Sequence, residues 1–150
     1  SDRLGVEVAC ALTLTGSGFK VVDTVRMGTK DTVTMPQTEH AWLFHTHLGA
    51  NVPPSKSDLS VALTYGYNKI KETIHIIYDD YYVWWLSVEK YIEKIERDSS
   101  EVAKEAIIAT LATYEELVKK YKTNHKFKRF RRELLPHGIS INRIKSLNTK

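Results

Sequence analysis

The strongest constraint on the fold is a strand, a loop and a helix start that follow one another between residues 40 and 58. The run His40–His47 is long enough to form a buried strand. A loop rich in glycine and proline follows over residues 48–54. The pair Ser55-x-x-Asp58 then has the spacing of a helix N-terminus, where a capping side chain and an acid satisfy each other's amides. The segment therefore predicts a strand that leads directly into a capped helix.

Two predicted hairpins flank this unit. Each consists of two β-branched and aromatic runs around a short turn, at Gly16-Ser17-Gly18 within residues 6–27 and at Asp79-Asp80 within residues 73–87. A further strand is expected at Thr32–Met35, which Pro36 would end or force to an edge. The chain is therefore predicted to be an α/β domain with a mixed or antiparallel sheet flanked by helices.

Residues 88–150 are predicted to be helical. The spacing Asp98-x-x-Glu101 is that of a capping box and is expected to open a long helix. The apolar stripe of that helix, with spacings of three and four, is predicted to pack against its own domain; it comprises Ile107, Leu111, Tyr114, Val118 and Tyr121. We expect a core over residues 1–97, with residues 98–150 as a helical extension packed on it or appended to it.

Length and cysteine content exclude several classes of protein. The 150 residues suit one domain, and a single cysteine, Cys10, cannot form an intramolecular disulfide. No apolar run approaches the ~20 residues that span a bilayer, and no signal-peptide pattern is present. We therefore expect a globular cytoplasmic protein with no membrane partner.

The charge is unevenly distributed along the chain. Residues 119–150 carry eleven Lys/Arg and one acid, so the net charge of +4 combines a basic tail of +10 with an acidic body of −6. Phe127 and Phe130 are interleaved with these cations. The tail could bind nucleic acid or an acidic partner, or it could be a solvated helix end anchored by two phenylalanines.

A candidate metal site lies in the strand–loop–helix unit. His45 and His47, at i and i+2 of a strand, point to the same face roughly 6–7 Å apart. The loop and helix start can bring Asp58 back to the strand end as a third ligand. Two imidazoles and one carboxylate would leave a tetrahedral Zn²⁺ with an open fourth position, which is the catalytic pattern. The alternative without a metal is an isolated histidine pair beside an ordinary helix cap.

The complete spacing, His-x-His-x7-Ser-x2-Asp, is that of a known family. It resembles the JAMM (MPN+/JAB) zinc metallopeptidase motif, which is matched here at His45, Thr46, His47, Ser55 and Asp58. The order of hairpin, strand, helix and hairpin also resembles that family over residues 4–97. One departure is Leu48, which stands where the family usually has a proline that shapes the loop.

The resemblance implies a JAMM/MPN-like fold with the layering of the cytidine deaminases. It also implies an activity, hydrolysis of an isopeptide or peptide bond with one Zn²⁺ on His45, His47 and Asp58. The substrate would be a protein, with cleavage at the C-terminus of a ubiquitin-like or sulfur-carrier protein. Little room for insertions between residues 22 and 40 favours a compact bacterial- or phage-type member.

The family also uses a glutamate as general base, and two candidates precede the histidines. Glu39 lies six residues before His45, about 20 Å away along one strand, so Glu7 is our candidate. Cys10 stands where the family usually has glycine, three residues after that glutamate. Ser55 resembles the serine that donates a hydrogen bond to the tetrahedral oxyanion.

Two alternatives from other classes stay open. The chain could be a catalytically silent MPN-type binding or scaffold module, or a nucleic-acid-associated factor that acts through the basic tail.

Overall fold

A computed structural model describes residues 6–15, 18–21, 26–28, 42–49, 52–68, 74–121 and 126–145. These residues form seven strands and four α-helices. In chain order they are β1 (Val8–Thr15), β2 (Gly18–Val21), β3 (Arg26–Met27), β4 (Trp42–Thr46), α1 (Lys56–Tyr67), β5 (Ile74–Tyr78), β6 (Tyr82–Ser87), α2 (Glu89–Ile95), α3 (Ser100–Lys120), α4 (Phe127–Leu134) and β7 (Ser140–Lys145). A 3₁₀ turn, Leu135–His137, joins α4 to β7.

The strands form one mixed sheet in the order β2-β1-β4-β5-β6-β7, and β3 also pairs with β1. Only β4 and β5 run parallel among the described pairs, and α1 makes the crossover between them. The remaining pairs are antiparallel. The α/β fold and both predicted hairpins are confirmed, while the strand expected at Thr32–Met35 lies outside the described residues.

One hydrophobic cluster joins the sheet to all four helices. It includes Leu63 of α1, Trp84 of β6, Tyr114 of α3 and Phe130 of α4, none of them more than 3% exposed. The apolar stripe of α3 packs inward as predicted, and α3 lies against α1. Residues beyond 97 therefore build the same core as the residues before them.

The expectation that residues 88–150 are entirely helical is wrong at their C-terminal end. Gly138, at φ +84°, ends the 3₁₀ turn in the left-handed region, and the chain then becomes strand β7. Ile139 and Ile141 are both buried and alternate with the half-buried Ser140, a period of two that is typical of a strand. β7 pairs antiparallel with β6, with Ile141 opposite Leu86.

The predicted cap of α3 also shifts by one residue. The N-cap is Ser99, whose Oγ accepts a hydrogen bond from the Val102 amide at 3.3 Å, whereas Asp98 precedes the cap. Either side chain has the chemistry of a cap, so only the backbone path distinguishes them. Among the described residues, no helix is long and apolar enough to cross a membrane.

Candidate metal centre

Two of the three predicted ligands lie at the C-terminal end of β4: His45 is in the strand and His47 follows its last residue. His45 and His47 project from the same face of the strand, as alternation requires, and are 1% and 5% exposed. Their Nε2 atoms lie 3.2 Å apart. Thr46, between them, points to the opposite face, and its Oγ1 accepts a hydrogen bond from the Val8 amide at 2.8 Å. That bond ties the end of β4 to the start of β1 and so fixes the backbone between the two histidines.

The helix cap of α1 supplies the third ligand. The Ser55 amide donates to Oδ2 of Asp58 at 2.7 Å, and the Asp58 amide donates to Ser55 Oγ at 3.1 Å. This reciprocal pair is the capping box that the spacing predicted. It holds the buried Asp58 carboxylate with Oδ1 2.9 Å from His45 Nε2 and Oδ2 3.0 Å from His47 Nε2. The structure thus brings His45, His47 and Asp58 together as a group that could hold a metal ion.

Electrostatics bind the three groups to one another. Burial opposes ionisation of Asp58, but the charges and hydrogen bonds of both histidines outweigh it and hold the carboxyl pKa well below its usual value. Burial likewise opposes the charged form of His47, yet Asp58, the Val52 carbonyl and the charge of Glu7 together raise the pKa of His47. The negative charge that favours a proton here would also favour a divalent cation.

The donor set fits a transition metal rather than a hard cation. Ligand atoms at about 2.0–2.1 Å from a tetrahedral Zn²⁺ stand about 3.3–3.4 Å apart. The observed separations are slightly shorter than that: 3.2 Å between the two Nε2 atoms, and 2.9 and 3.0 Å from these atoms to Oδ1 and Oδ2 of Asp58. Ca²⁺ and Mg²⁺ prefer oxygen ligands, whereas imidazole suits Zn²⁺. Two histidines and one carboxylate also suit non-haem Fe²⁺, so the donor set by itself defines a class of metals.

The outer ring nitrogens of the two histidines have different surroundings. His47 Nδ1 lies 3.3 Å from the Val52 carbonyl oxygen, which can accept its proton and leave the Nε2 lone pair for a metal. His45 Nδ1 is buried and has no hydrogen-bond partner among the described residues. The orientation of His47 is therefore the better supported of the two.

The candidate general base lies beside the ligands. Glu7 immediately precedes β1 and is 7% exposed. Ala9 of β1 pairs with His45, and the same register continued by two residues sets Glu7 opposite His47 on the shared face. Its charge contributes to the raised pKa of His47, which requires proximity. The rejected candidate, Glu39, lies outside the described residues.

Ser55 is the exposed member of the group. Its Oγ uses a lone pair to accept the Asp58 amide hydrogen, and its own proton has no acceptor among the described residues. An N-cap serine can thus hold the helix start and still donate a hydrogen bond to a bound molecule. This placement is compatible with the role that the sequence resemblance implied.

Two supporting residues were missed by sequence reasoning. Asp79, predicted only as a turn residue, is 1% exposed and accepts hydrogen bonds from three backbone amides and from Trp84 Nε1. Tyr114, predicted only as core, donates from its hydroxyl to the Pro54 carbonyl at 2.6 Å. Both bind the loop before α1 from distant parts of the chain, so no local signal could have found them.

The basic tail uses its aromatic residues for internal packing. Phe130 is 3% exposed with its ring 5.8 Å from that of Tyr114, and the Phe127 ring is covered by the guanidinium of Arg143 at 4.1 Å. The cations of α4, in contrast, are exposed. The phenylalanines therefore anchor the helix, as one of the two interpretations of the tail expected.

Comparisons with protein-family models, curated proteins and solved structures returned no match to this chain. The fold and the site still define a class: an α/β domain with a buried group of two histidines and one carboxylate that could hold a metal ion.

Proposed function

We propose that this protein is a zinc-dependent amide hydrolase of the JAMM type. The observation that carries the proposal is the convergence of His45, His47 and Asp58 at 2.9–3.2 Å, with the buried Glu7 beside them. Three ligands leave one position open, and catalytic zinc sites keep such a position for water or substrate. Bound there, Zn²⁺ would lower the pKa of water and polarise a carbonyl oxygen.

The protein groups around the ligands have distinct roles in this reaction. Glu7 accepts the proton of the attacking water and returns it to the leaving amine as the amide bond breaks. Ser55 donates its hydroxyl proton to the oxyanion that develops on the carbonyl oxygen, while Asp58 keeps it in place through the capping box. The two histidines and Asp58 would hold the metal and take no part in proton transfer.

The neighbouring acid favours zinc hydrolysis over iron chemistry. Amide hydrolysis needs a proton carrier next to the attacking water. Continuing the β1–β4 register by two residues sets Glu7 opposite His47, and the charge of Glu7 helps to raise the pKa of His47. The full motif from His45 to Asp58, including Ser55, also resembles a zinc peptidase. In amide hydrolysis, Glu7 serves as the proton carrier and Ser55 as a hydrogen-bond donor to the oxyanion.

By the same resemblance, we propose a protein substrate, cut at the C-terminus of a ubiquitin-like or sulfur-carrier protein. A binding module that kept the metal site without the activity is the alternative that the experiment must separate. In that case the protein would hold zinc and cleave none of the fusions tested.

The proposal is tested by metal analysis together with cleavage of C-terminal fusions of ubiquitin-like and sulfur-carrier proteins. Purified wild type is expected to hold one Zn²⁺ and His45→Ala none. Glu7→Gln should keep zinc at the wild-type level and lose turnover, because the amide side chain cannot take up a proton. Glu96→Gln, a matched change of an exposed acid, should alter neither.

Three results would overturn the proposal. Negligible zinc in both wild type and His45→Ala would remove the metal, and stoichiometric iron in place of zinc would assign another chemistry. Cleavage by Glu7→Gln at the wild-type rate would remove Glu7 from the reaction.

A further inference from the structure

We infer that Asp79 is a positioning residue for the metal centre, which it orients through the backbone of Val52 and the imidazole of His47. The inference rests on the proposed function only in that His47 is taken as a metal ligand. It assigns a role to a buried acid that does not itself belong to the ligand group.

Asp79 lies at the end of β5, in the turn that leads to β6. Its Oδ1 accepts the amides of Tyr81 and Tyr82 at 2.7 and 2.6 Å, which shapes its own turn. Its Oδ2 accepts the Val52 amide at 2.8 Å and, from β6, Trp84 Nε1 at 2.8 Å. Both oxygens therefore hold the β5–β6 hairpin, and Oδ2 also binds the loop before α1, 27 residues earlier in the chain.

Val52 connects that carboxylate to the ligand. Its amide is bound by Asp79, and its carbonyl oxygen lies 3.3 Å from His47 Nδ1. A hydrogen bond from Nδ1 to a fixed acceptor sets both the ring angle and the tautomer of a metal-binding histidine. The Val52 carbonyl can orient the ring only if the Val52 backbone is itself held in place. Asp79 holds it with a charge-assisted hydrogen bond to the Val52 amide.

Asp79 is itself held rigidly. It is 1% exposed, and one of its donors, Trp84, is also 1% exposed and belongs to the main core. The neighbouring Asp80 makes a second connection to the same loop, because its Oδ2 accepts the Gly49 amide at 2.9 Å and its amide donates to the Gly49 carbonyl at 2.9 Å. Among the described residues, Gly49 forms its hydrogen bonds with Asp80 and none with a histidine ring, unlike Val52, which makes Asp80 a suitable control.

The test measures zinc affinity by competition with a chromophoric chelator, using the full chain. Asp79→Asn keeps the size of the side chain. One carboxylate oxygen becomes an NH2 group, which cannot accept a hydrogen bond, and the other becomes a neutral and weaker acceptor. Zinc affinity is expected to fall about 10–100-fold, the range typical of second partners of ligating histidines. The Co²⁺-substituted variant should also show shifted visible absorption bands, because the angle of the His47 ring changes.

Two control variants separate orientation from general loss of stability. Asp80→Asn makes the same chemical change at the adjacent residue, which holds the loop at Gly49. Trp84→Phe removes a donor to the same oxygen of Asp79 and leaves the Val52 bond in place. Both should lower the denaturation midpoint while keeping the zinc affinity and the Co²⁺ spectrum of the wild type.

If Asp79→Asn does not fold, a backbone ester at residue 52 carries the test. It replaces only the Val52 N–H and leaves the other three bonds to Asp79 intact, and the same loss of zinc affinity is expected.

The outcomes distinguish this inference from the proposed hydrolysis. A folded Asp79→Asn or ester variant with wild-type zinc affinity overturns the inference alone, as does an equal loss of affinity in Asp80→Asn. Weakened zinc binding in Asp79→Asn supports it even if no amide substrate is ever cleaved. A wild type that binds no zinc overturns both.

Discussion

The hydroxyl of Tyr114 offers a measurable test of whether α3 supports the metal loop. It donates to the Pro54 carbonyl at 2.6 Å across 60 residues of sequence, and both residues are buried. Burial, and secondarily the negative charge of Asp58, raises the pKa of Tyr114 well above its usual value. The hydroxyl therefore keeps its proton and remains a donor throughout the ordinary pH range.

Tyr114→Phe would remove that donor and keep the ring, which packs 5.8 Å from Phe130. The buried Pro54 carbonyl would then lose its partner, at a cost of about 1–3 kcal/mol in the free energy of unfolding. For a chain of this size, such a loss lowers the melting temperature by roughly 2–12 °C.

The assay is urea unfolding of the zinc-free protein. Relative to the wild type, Tyr114→Phe should have a lower midpoint urea concentration and the same dependence of the unfolding free energy on urea, because the surface exposed on unfolding is unchanged. Tyr91→Phe is the matched control. The Tyr91 hydroxyl lies 2.9 Å from Thr110 Oγ1 at a part-buried site, where water can replace it, so its loss should cost only about 0.5–1.5 kcal/mol. If Tyr114→Phe were as stable as the wild type, the bond to Pro54 would not hold the loop.

Three further predictions follow from the site and the fold. The folded protein raises the pKa of His47, so the contribution of His47 to the stability of the metal-free protein is complete below pH 6.5 and is lost as the pH rises through its folded pKa. The folded protein lowers the pKa of Asp58, so the contribution of Asp58 is complete above pH 3.8 and is lost as the pH falls through its folded pKa. Zinc affinity should instead rise with pH, by up to about tenfold per pH unit until His47 is deprotonated, because the metal needs a neutral imidazole. A pH-independent zinc affinity, measured by chelator competition, would contradict this. Gly138→Ala should lower the free energy of unfolding by more than about 1–2 kcal/mol, because at φ +84° the new Cβ would lie 2.6 Å from the Tyr91 backbone nitrogen; an unchanged urea midpoint would contradict that geometry. Ser55→Ala should cost about 1 kcal/mol of stability through the lost cap and about 10²–10³ in kcat through the lost donor, and a variant with full kcat would confine Ser55 to the cap.

Much of the ligand group could be predicted because its geometry is local. Alternation along one strand sets His45 and His47 on the same face, and a capping box sets the direction of Asp58. Both effects act within a few residues and leave a recognisable spacing in the sequence. Two hairpins and the inward stripe of α3 follow from patterns of the same short range.

The same local patterns cannot choose between neighbouring residues that are equally suited to one role, or recognise a strand that depends on a distant partner. Asp98 and Ser99 are both good caps, and the backbone chooses Ser99. The strand at Ser140–Lys145 was predicted as part of a helical tail, because its two-residue period is short and follows a strongly basic helix. It becomes a strand by pairing with β6, a partner more than fifty residues earlier in the chain.

The sequence by itself therefore determined which atoms can meet a metal, since strand and helix-cap geometry are properties of neighbouring residues. Only the tertiary structure decided what holds those atoms in place. Asp79 reaches Val52, and Tyr114 reaches Pro54, because the sheet order and the packing of α3 bring distant segments together. Such contacts depend on the whole core, and a buried carboxylate or hydroxyl looks in the sequence like any turn or core residue until its partner is known.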